Sequence, residues 1–324
     1  MEIKKVNKIF LITDRQPTLS DSISRYIIDL AEGFALGGKD VRIYTTAEAK
    51  REDYSLPSSV KFINGLPKVN EDAIYHFHLT FSIRSHTKFL IDNLAKLAKK
   101  SIVTLHVTPE YAEIMNQKKE METILTALAY SGILVHSFSN YAKYDLKRFM
   151  ISNCKVVYPG LNLGRYQKFL RHTIKKENEI LVVASNPDSS FVKEVKGFNF
   201  LEVLEKKYKN MSIKRVVNLP FEEYLIQMAK AKFYVALSRI EHYGLAIIDA
   251  YNLFTIPIYS NEGGLTEAIY GNGVPIFVNG NIVMPEKLDY NPSTARENLA
   301  FSMSEHTIEK HIRNMENLYD TLIL

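Results

Sequence analysis

At 324 residues the chain is long for one domain and the right length for two of ordinary size. Apolar residues at 46% and charged residues at 24% exclude a disordered or fibrous chain, and the lone cysteine, Cys154, excludes an internal disulfide and a cysteine-based zinc cluster. The net charge of +5 hides an uneven spread: +4 over residues 1–150, +7 over 151–215 and −6 over 216–324. A basic middle is compatible with a phosphate-bearing ligand, an anionic membrane surface or nucleic acid, and selects none of them.

In chain order, "KIFLITD" reads as a strand. Its apolar run closes at Asp14 and Arg15, too short for the core of a signal peptide, and no window approaches a membrane span; a cytoplasmic protein is expected. "SDSISRYIIDLAEGFALGG" reads as a helix, capped by Ser20 or Asp21 and ended by Gly37-Gly38, and "DVRIYTT" as the next strand. Strand, helix, strand is the opening unit of a parallel α/β sheet. The rhythm continues with "AIYHFHL" as a strand, "SHTKFLIDNLAKLAKK" as one amphipathic helix, and "SIVTLHV" as a strand. Then come the helix "METILTALAYSG", the strand "ILVHSFS", the helix "NYAKYDLKRFM" and the strand "CKVVYPG".

After "YPGLN" a polar stretch breaks the pattern, which places a domain junction around 162–178. A second series follows, with strands at "EILVVAS", "IKRVVNL", "KFYVALS", "IPIYS" and "VPIFVN", and helices between them. The chain closes with helices at "TARENLAFSM" and "EHTIEKHIRNMENLYDTLIL". Two parallel-sheet domains put the expected site at the carboxyl ends of strands, in a cleft.

The segment "SRIEHYGLAIIDAYNLF" concentrates the chemistry. "RIEHY" is the loop at the end of "KFYVALS", and "GLAIIDAYNLF" is the helix behind it. The first N–H groups of a helix lack intrahelical partners and carry partial positive charge, which suits a phosphate. Glu241 stands just before those amides, where it can accept from hydroxyls. Asp249 interrupts the apolar stripe of the helix and needs a partner, because an unpartnered buried carboxylate is costly. A nucleotide-diphosphate sugar would satisfy all three features, with phosphates on the amides and hydroxyl-rich rings to either side. The ordinary alternative is a solvated loop acid and a helix acid bonded to a nearby Lys or Arg.

At this point the sequence resembles the retaining, nucleotide-sugar-dependent glycosyltransferases of family 4. "SRIEHYGLAIIDA" is similar to that family's E-x7-E segment, and "IPIYSNEGGLTEAI" to its next strand and G-G-x-x-E loop, here Gly263-Gly264. "YPGLNLGRY" resembles its domain-linking P-x-G-V-D-x-x-x-F, "DSISRYIIDLA" its opening segment, and "FSMSEHTIEKHIRNMENLYDTLI" its closing helices. The resemblance runs in order along nearly the whole chain. It implies the GT-B fold: α/β, two Rossmann-like domains with parallel sheets facing across a cleft. The implied bounds are an acceptor-side domain over 1–165, a nucleotide-sugar-binding domain over 166–305, and a closing helix over 306–324 that packs back towards the first domain.

The resemblance also implies roles. Glu241 would hold donor-sugar hydroxyls, Tyr243, Gly244 and Leu245 would line sugar and diphosphate through backbone amides, and Asp249 would bind the ribose diol. Lys196, in "EVKGFNF", would neutralise the leaving diphosphate, and His106, in "TLHVTP", would lie near the reacting sugar. No cofactor or metal is implied; the co-substrate would be a UDP- or GDP-sugar. His76 and His78 share a strand face, but no third metal ligand is evident.

The chain departs from the family pattern at several positions. Asp21-Ser22 stands where two glycines are common, which leaves that loop to the acceptor. The second acid of the E-x7-E pair is Asp249, Asn162 replaces an Asp, and the family's Arg ahead of the lysine has no match except Lys193 as a point charge. These departures keep open a binding or scaffold protein without turnover. A nucleotide-sugar epimerase and a glycosyltransferase acting on nucleic acid are further rivals, though no stripe of Arg and aromatic residues argues for nucleic acid. The acceptor is unspecified. The lysines of "HTKFLIDNLAKLAKK" are compatible with peripheral docking on an anionic bilayer; packing on the sheet with a solvated basic face is the commoner use of such a helix.

Overall fold

Apolar runs bounded by polar residues form two parallel sheets in the computed structural model, which describes residues 7–15, 18–47, 58–69, 71–171, 174–184, 193, 195–269, 273–278 and 281–322. The chain divides into two units, Met1–Gly160 with Ile308–Leu324, and Leu161–Thr307. Among the described residues no helix is long and apolar enough to cross a membrane.

The first unit holds β1 (Lys8–Thr13), β2 (Asp40–Thr45), β3 (Val60–Asn64), β4 (Ile74–Leu79), β5 (Ser101–Leu105), β6 (Leu134–Ser137) and β7 (Cys154–Val156). Their order is β3-β2-β1-β4-β5-β6-β7, and every pairing is parallel. β4 and β5 are buried along their whole length because helices cover both sheet faces, which is why they read as near-continuous apolar runs. β3 escapes sequence reading: it is an edge strand in which only Val60 is fully buried, so it carries no apolar run.

The Ser22–Leu36 helix follows β1 and buries Tyr26, Ile27, Leu30 and Phe34. Asp21 caps it, accepting from the Ser24 backbone N–H at 2.9 Å and the Ser24 hydroxyl at 2.8 Å. The single helix expected over "SHTKFLIDNLAKLAKK" is instead Ser85–Asp92, Leu94–Leu97 and a 3-10 turn, Ala98–Lys100. Asn93 breaks it: its backbone leaves helical geometry (φ −120°, ψ 14°) and its side chain donates to the Phe89 carbonyl at 2.8 Å. Lys100, at the end, donates to the Val69 and Glu71 carbonyls, so it is not part of a free basic face.

The second unit holds β8 (Glu177–Ala184), β9 (Ser212–Val217), β10 (Ala231–Ala236), β11 (Ile256–Ser260), β12 (Val274–Val278) and β13 (Asn281–Ile282). The order is β13-β12-β11-β10-β8-β9, parallel except for the short β13 at the edge. The progression reverses between β8 and β10. In open α/β sheets the carboxyl ends of the two strands flanking such a reversal diverge into a crevice where ligands bind.

Candidate functional site

The loops leaving β8 and β10 meet at that reversal. Lys196 lies in the first and Glu241 in the second, and Lys196 Nζ donates to Glu241 Oε2 at 2.5 Å. Backbone contacts enforce the meeting. The Arg239 N–H donates to the Val195 carbonyl at 3.0 Å. Gly197 has φ 67°, and a Cβ there would stand 2.4 Å from the Leu237 carbonyl oxygen, so only glycine lets the β8 loop press against the end of β10. From the other side the Gly264 N–H donates to the Glu241 carbonyl at 2.8 Å, and a Cβ on Gly264 would lie 2.1 Å from the His242 carbonyl oxygen. The loop after β11 thus holds Glu241 by its backbone, and the loop after β8, fastened to Leu237 and Arg239, brings Lys196 to its carboxylate.

Burial pushes the Glu241 carboxyl up, but the charge of Lys196, its hydrogen bond and a bond from Ser238 outweigh burial and hold it below the usual carboxylate value. Glu241 is ionised at neutral pH and paired. Behind it, Gly244 (φ 91°) begins the Leu245–Asn252 helix and offers no side chain to cap it, and Leu245 and Ala246 of the first turn are half-buried. Tyr243 turns its side chain inward, 2% exposed, with its ring edge-on to His306 at 5.8 Å. Lys193 is exposed, and residues 185–192 and 194 next to it lie outside the described residues.

Asp249 is 1% exposed and its carboxylate is engaged by two hydroxyls: Tyr166 donates to Oδ1, and Tyr224 to Oδ2 at 2.8 Å. The partners are tyrosines rather than the Lys or Arg that the ordinary alternative supposes. Sequence reasoning misses both, although Tyr166 carries a signal: it stands where the family's linker pattern has Phe, and the added hydroxyl is what reaches Asp249.

In the first unit His106 follows β5, half-buried, and its Nε2 faces His78 Nδ1 at 3.1 Å. Asp21 and Ser22 begin the Ser22–Leu36 helix, with the Asp21 carboxylate spent on the cap and Ser22 exposed. His76 and His78 of β4, His106 just after β5 and His136 of β6 gather with His311 of the Ile308–Asp320 helix, so five of the nine histidines share one array. Burial, and then the neighbouring imidazoles, hold His76 and His78 well below the ordinary imidazole value, and burial lowers His311 to about 4. These rings are neutral.

Hydrogen bonds tie the array together. A carbonyl only accepts, so His136 Nε2, 3.0 Å from the Val157 oxygen, carries a proton, and His136 Nδ1 stands 2.7 Å from the Thr104 hydroxyl. The same hydroxyl lies 2.6 Å from His76 Nε2, and the Tyr319 hydroxyl lies 2.8 Å from His76 Nδ1, so both ring nitrogens of His76 are engaged. A second chain runs from the Tyr26 hydroxyl to His311 Nε2 (2.9 Å) and from His311 Nδ1 to the Tyr158 carbonyl (2.7 Å). The array is a network of donors and acceptors, and the described residues bring no three His, Cys, Asp or Glu side chains into a metal-holding group.

No protein-family model and no curated protein matches the chain. Solved structures do. A glycosyltransferase from Rickettsia africae is 13% identical with a TM-score of 0.61, covering 98% of this chain and 99% of that one. Sucrose-phosphate synthase from Thermosynechococcus elongatus is 14% identical with a TM-score of 0.64, covering 97% and 98%. Anabaena HepE, solved in complex with UDP, is 11% identical with a TM-score of 0.61, covering 96% and 99%. At such identities the likeness speaks to fold: the chain has the GT-B fold of these glycosyltransferases, along nearly the whole length of each.

Proposed function

We propose that this protein is a retaining glycosyltransferase of family 4 that moves a sugar from a UDP- or GDP-sugar to an acceptor hydroxyl. The observation that carries the reading is the Lys196–Glu241 pair at the β8/β10 reversal, beside a helix start that has no side-chain cap. The solved complexes of HepE with UDP and with UDP-glucose, on the same fold, support a nucleotide sugar as the ligand class.

In this reading the ligand reorganises the ion pair. The diphosphate, with more negative charge than one carboxylate, draws Lys196 from Glu241 and lies against the amides after Gly244. Glu241, released, accepts from hydroxyls of the donor sugar. As the bond from the anomeric carbon to the diphosphate oxygen breaks, Lys196 stabilises the growing charge on the leaving group, and the acceptor oxygen bonds to the same face of the sugar. The acceptor's proton passes to a leaving-group oxygen, so no protein nucleophile is required. His106 holds a sugar or acceptor hydroxyl, and the reading needs no metal or cofactor. The acceptor is a glycan, lipid or small molecule; a cytoplasmic location, with peripheral membrane contact for a lipid acceptor, is part of the same proposal.

A second reading, a nucleotide-sugar-binding protein without turnover, is favoured by one observation: the Asp21 carboxylate occupies the start of a helix where the family carries glycine. One screen separates the two. Candidate nucleotide sugars are incubated with the protein and release of UDP or GDP is followed, with binding of each nucleotide measured by calorimetry. Release that Glu241→Ala reduces by about 10²-fold or more supports the enzyme. Binding without release supports the second reading, and neither binding nor release overturns both.

A further inference from the structure

The His78–His106 contact assigns more than proximity. His78 is 1% exposed, and its Nε2 has no hydrogen-bond partner among the described residues. Its Nδ1 faces His106 Nε2 at 3.1 Å. Its neighbours hold it in place: the His76 ring lies 4.2 Å away and tilted by 31°, and Tyr26 packs edge-on against both His78 (5.9 Å) and His106 (5.7 Å). His76 is no alternative partner, because both its nitrogens are committed, to Tyr319 and Thr104.

A neutral imidazole has one proton to place. On Nε2 of His78 it would be a buried N–H without an acceptor, a rare and costly state. On Nδ1 it donates to His106 and leaves only an unused lone pair on Nε2, which interiors tolerate better. The proton therefore sits on His78 Nδ1, and His106 Nε2 accepts it. The same logic passes to the next ring: with Nε2 accepting, a neutral His106 carries its own proton on Nδ1.

We infer that His78 is a positioning residue that locks His106 in the Nδ1–H tautomer, with its Nε2 engaged by His78, so that in the proposed reaction His106 does not act as a base. The inference rests on the proposed function for its substrate, but the tautomer can be read without turnover. The hydrogen bond made at one nitrogen of a histidine ring sets which nitrogen carries the proton. Here that bond comes from a second, buried histidine, held by the tilted His76 ring and the edge of Tyr26.

The test is nitrogen NMR of the protein labelled with ¹⁵N-histidine near pH 7.5, with His106→Gln identifying the His106 signals. The expected wild-type pattern is a pyrrole-type Nδ1 and a pyridine-type Nε2 at His106. His78→Phe keeps the ring volume and removes the donor; it should move His106 towards the Nε2–H form and lower kcat for sugar transfer about 10- to 100-fold, the range seen when a group orienting an active residue is removed, with KM for the donor little changed. His78→Asn offers an amide N–H near the position of Nδ1 and should restore both the tautomer and most of kcat. A wild-type His106 protonated on Nε2 overturns the inference, as does a folded His78→Phe protein with the wild-type tautomer. Should His78→Phe fail to fold, the wild-type spectrum still decides the tautomer. A protein that releases no nucleotide yet shows the assigned tautomer, lost in His78→Phe, supports the lock and overturns the glycosyltransferase reading instead.

Discussion

Lys196 and Glu241 stand 2.5 Å apart, and two magnitudes decide what the pair is for. With the lysine side chain 38% and the glutamate 24% exposed, water screens the attraction, and such pairs add about 1 kcal/mol or less to stability. A cation placed against a leaving diphosphate acts where charge develops, and removing a comparable preorganised group costs about 10²–10³ in kcat. Lys196→Ala is therefore expected to shift the melting temperature by a few degrees at most while kcat falls by that larger factor; a large loss of stability with an unchanged rate would make the pair structural. Asp249 inverts the balance. It is buried, and Tyr166→Phe deletes a hydroxyl it accepts from, leaving a carboxylate oxygen short of a bond at a cost of about 1–3 kcal/mol. A denaturant titration should show a lower midpoint with an unchanged slope. Glu241, Lys196 and Asp249 are each legible in the sequence as candidates. What pairs with each is not, because Lys196 lies 45 residues from Glu241 and Tyr166 lies 83 from Asp249, and only the sheet order brings them together.

Strands buried on both faces advertise themselves as apolar runs, which is why the alternation of strands and helices is legible through β1, β2 and β4 to β7 and again from β8 to β12. The edge strand β3 is not, with one buried residue to show, and the helix broken at Asn93 keeps an apolar period across the break. A different element-scale feature is equally silent in sequence. Lys176 enters the base of β8 and its ammonium donates to the Ala231 and Leu253 carbonyls, each at 2.8 Å, and to the Thr255 hydroxyl at 2.9 Å. Ala231 and Leu253 close the Phe221–Lys230 and Leu245–Asn252 helices, so one cation serves the negative ends of two helices. Burial nonetheless lowers Lys176 from 10.5 to about 7. A lysine whose folded value lies below its unfolded one binds fewer protons folded than unfolded between those two values, so stability rises with pH across that window. The slope reaches up to about 1.4 kcal/mol per pH unit. Melting temperatures from pH 7 to 9.5 should rise more steeply in the wild type than in Lys176→Met. The upper limit stays below the range where buried tyrosines such as Tyr26, held above their ordinary value by burial, reverse the sign. Parallel curves for the two proteins would show that Lys176 keeps an ordinary affinity for its proton.

The chain leaves its first unit at Gly160 and returns at Ile308, so that unit is completed by the last segment of the described chain. The Ile308–Asp320 helix packs on the Ser22–Leu36 helix so closely that a Cβ on Gly33 would stand 2.5 Å from Ile312 Cγ1, and Tyr319 stacks on Phe34 at 5.2 Å. It buries Ile308, Ile312, Met315, Leu318 and Tyr319, at an upper bound of about 1.5–3 kcal/mol each. That sum, roughly 8–15 kcal/mol, is as large as the whole stability of an ordinary domain. Its Tyr319 and His311 also satisfy His76 and Tyr26, which would otherwise be buried without those partners. These partners lie 243 and 285 residues apart along the chain, so the sequence displays the histidines and gives no sign of what orders them. The sheet of β1 to β7 is therefore expected to reach its native packing only once residues 308–320 have been made. A fragment of residues 1–160 should keep much of its far-ultraviolet circular dichroism yet bind a hydrophobic dye and melt without cooperativity, and a peptide of residues 308–324 added in trans should restore a cooperative transition. A fragment that melts cooperatively alone, and is not stabilised by the peptide, would mean that the first unit is self-sufficient and that the returning helix only covers it.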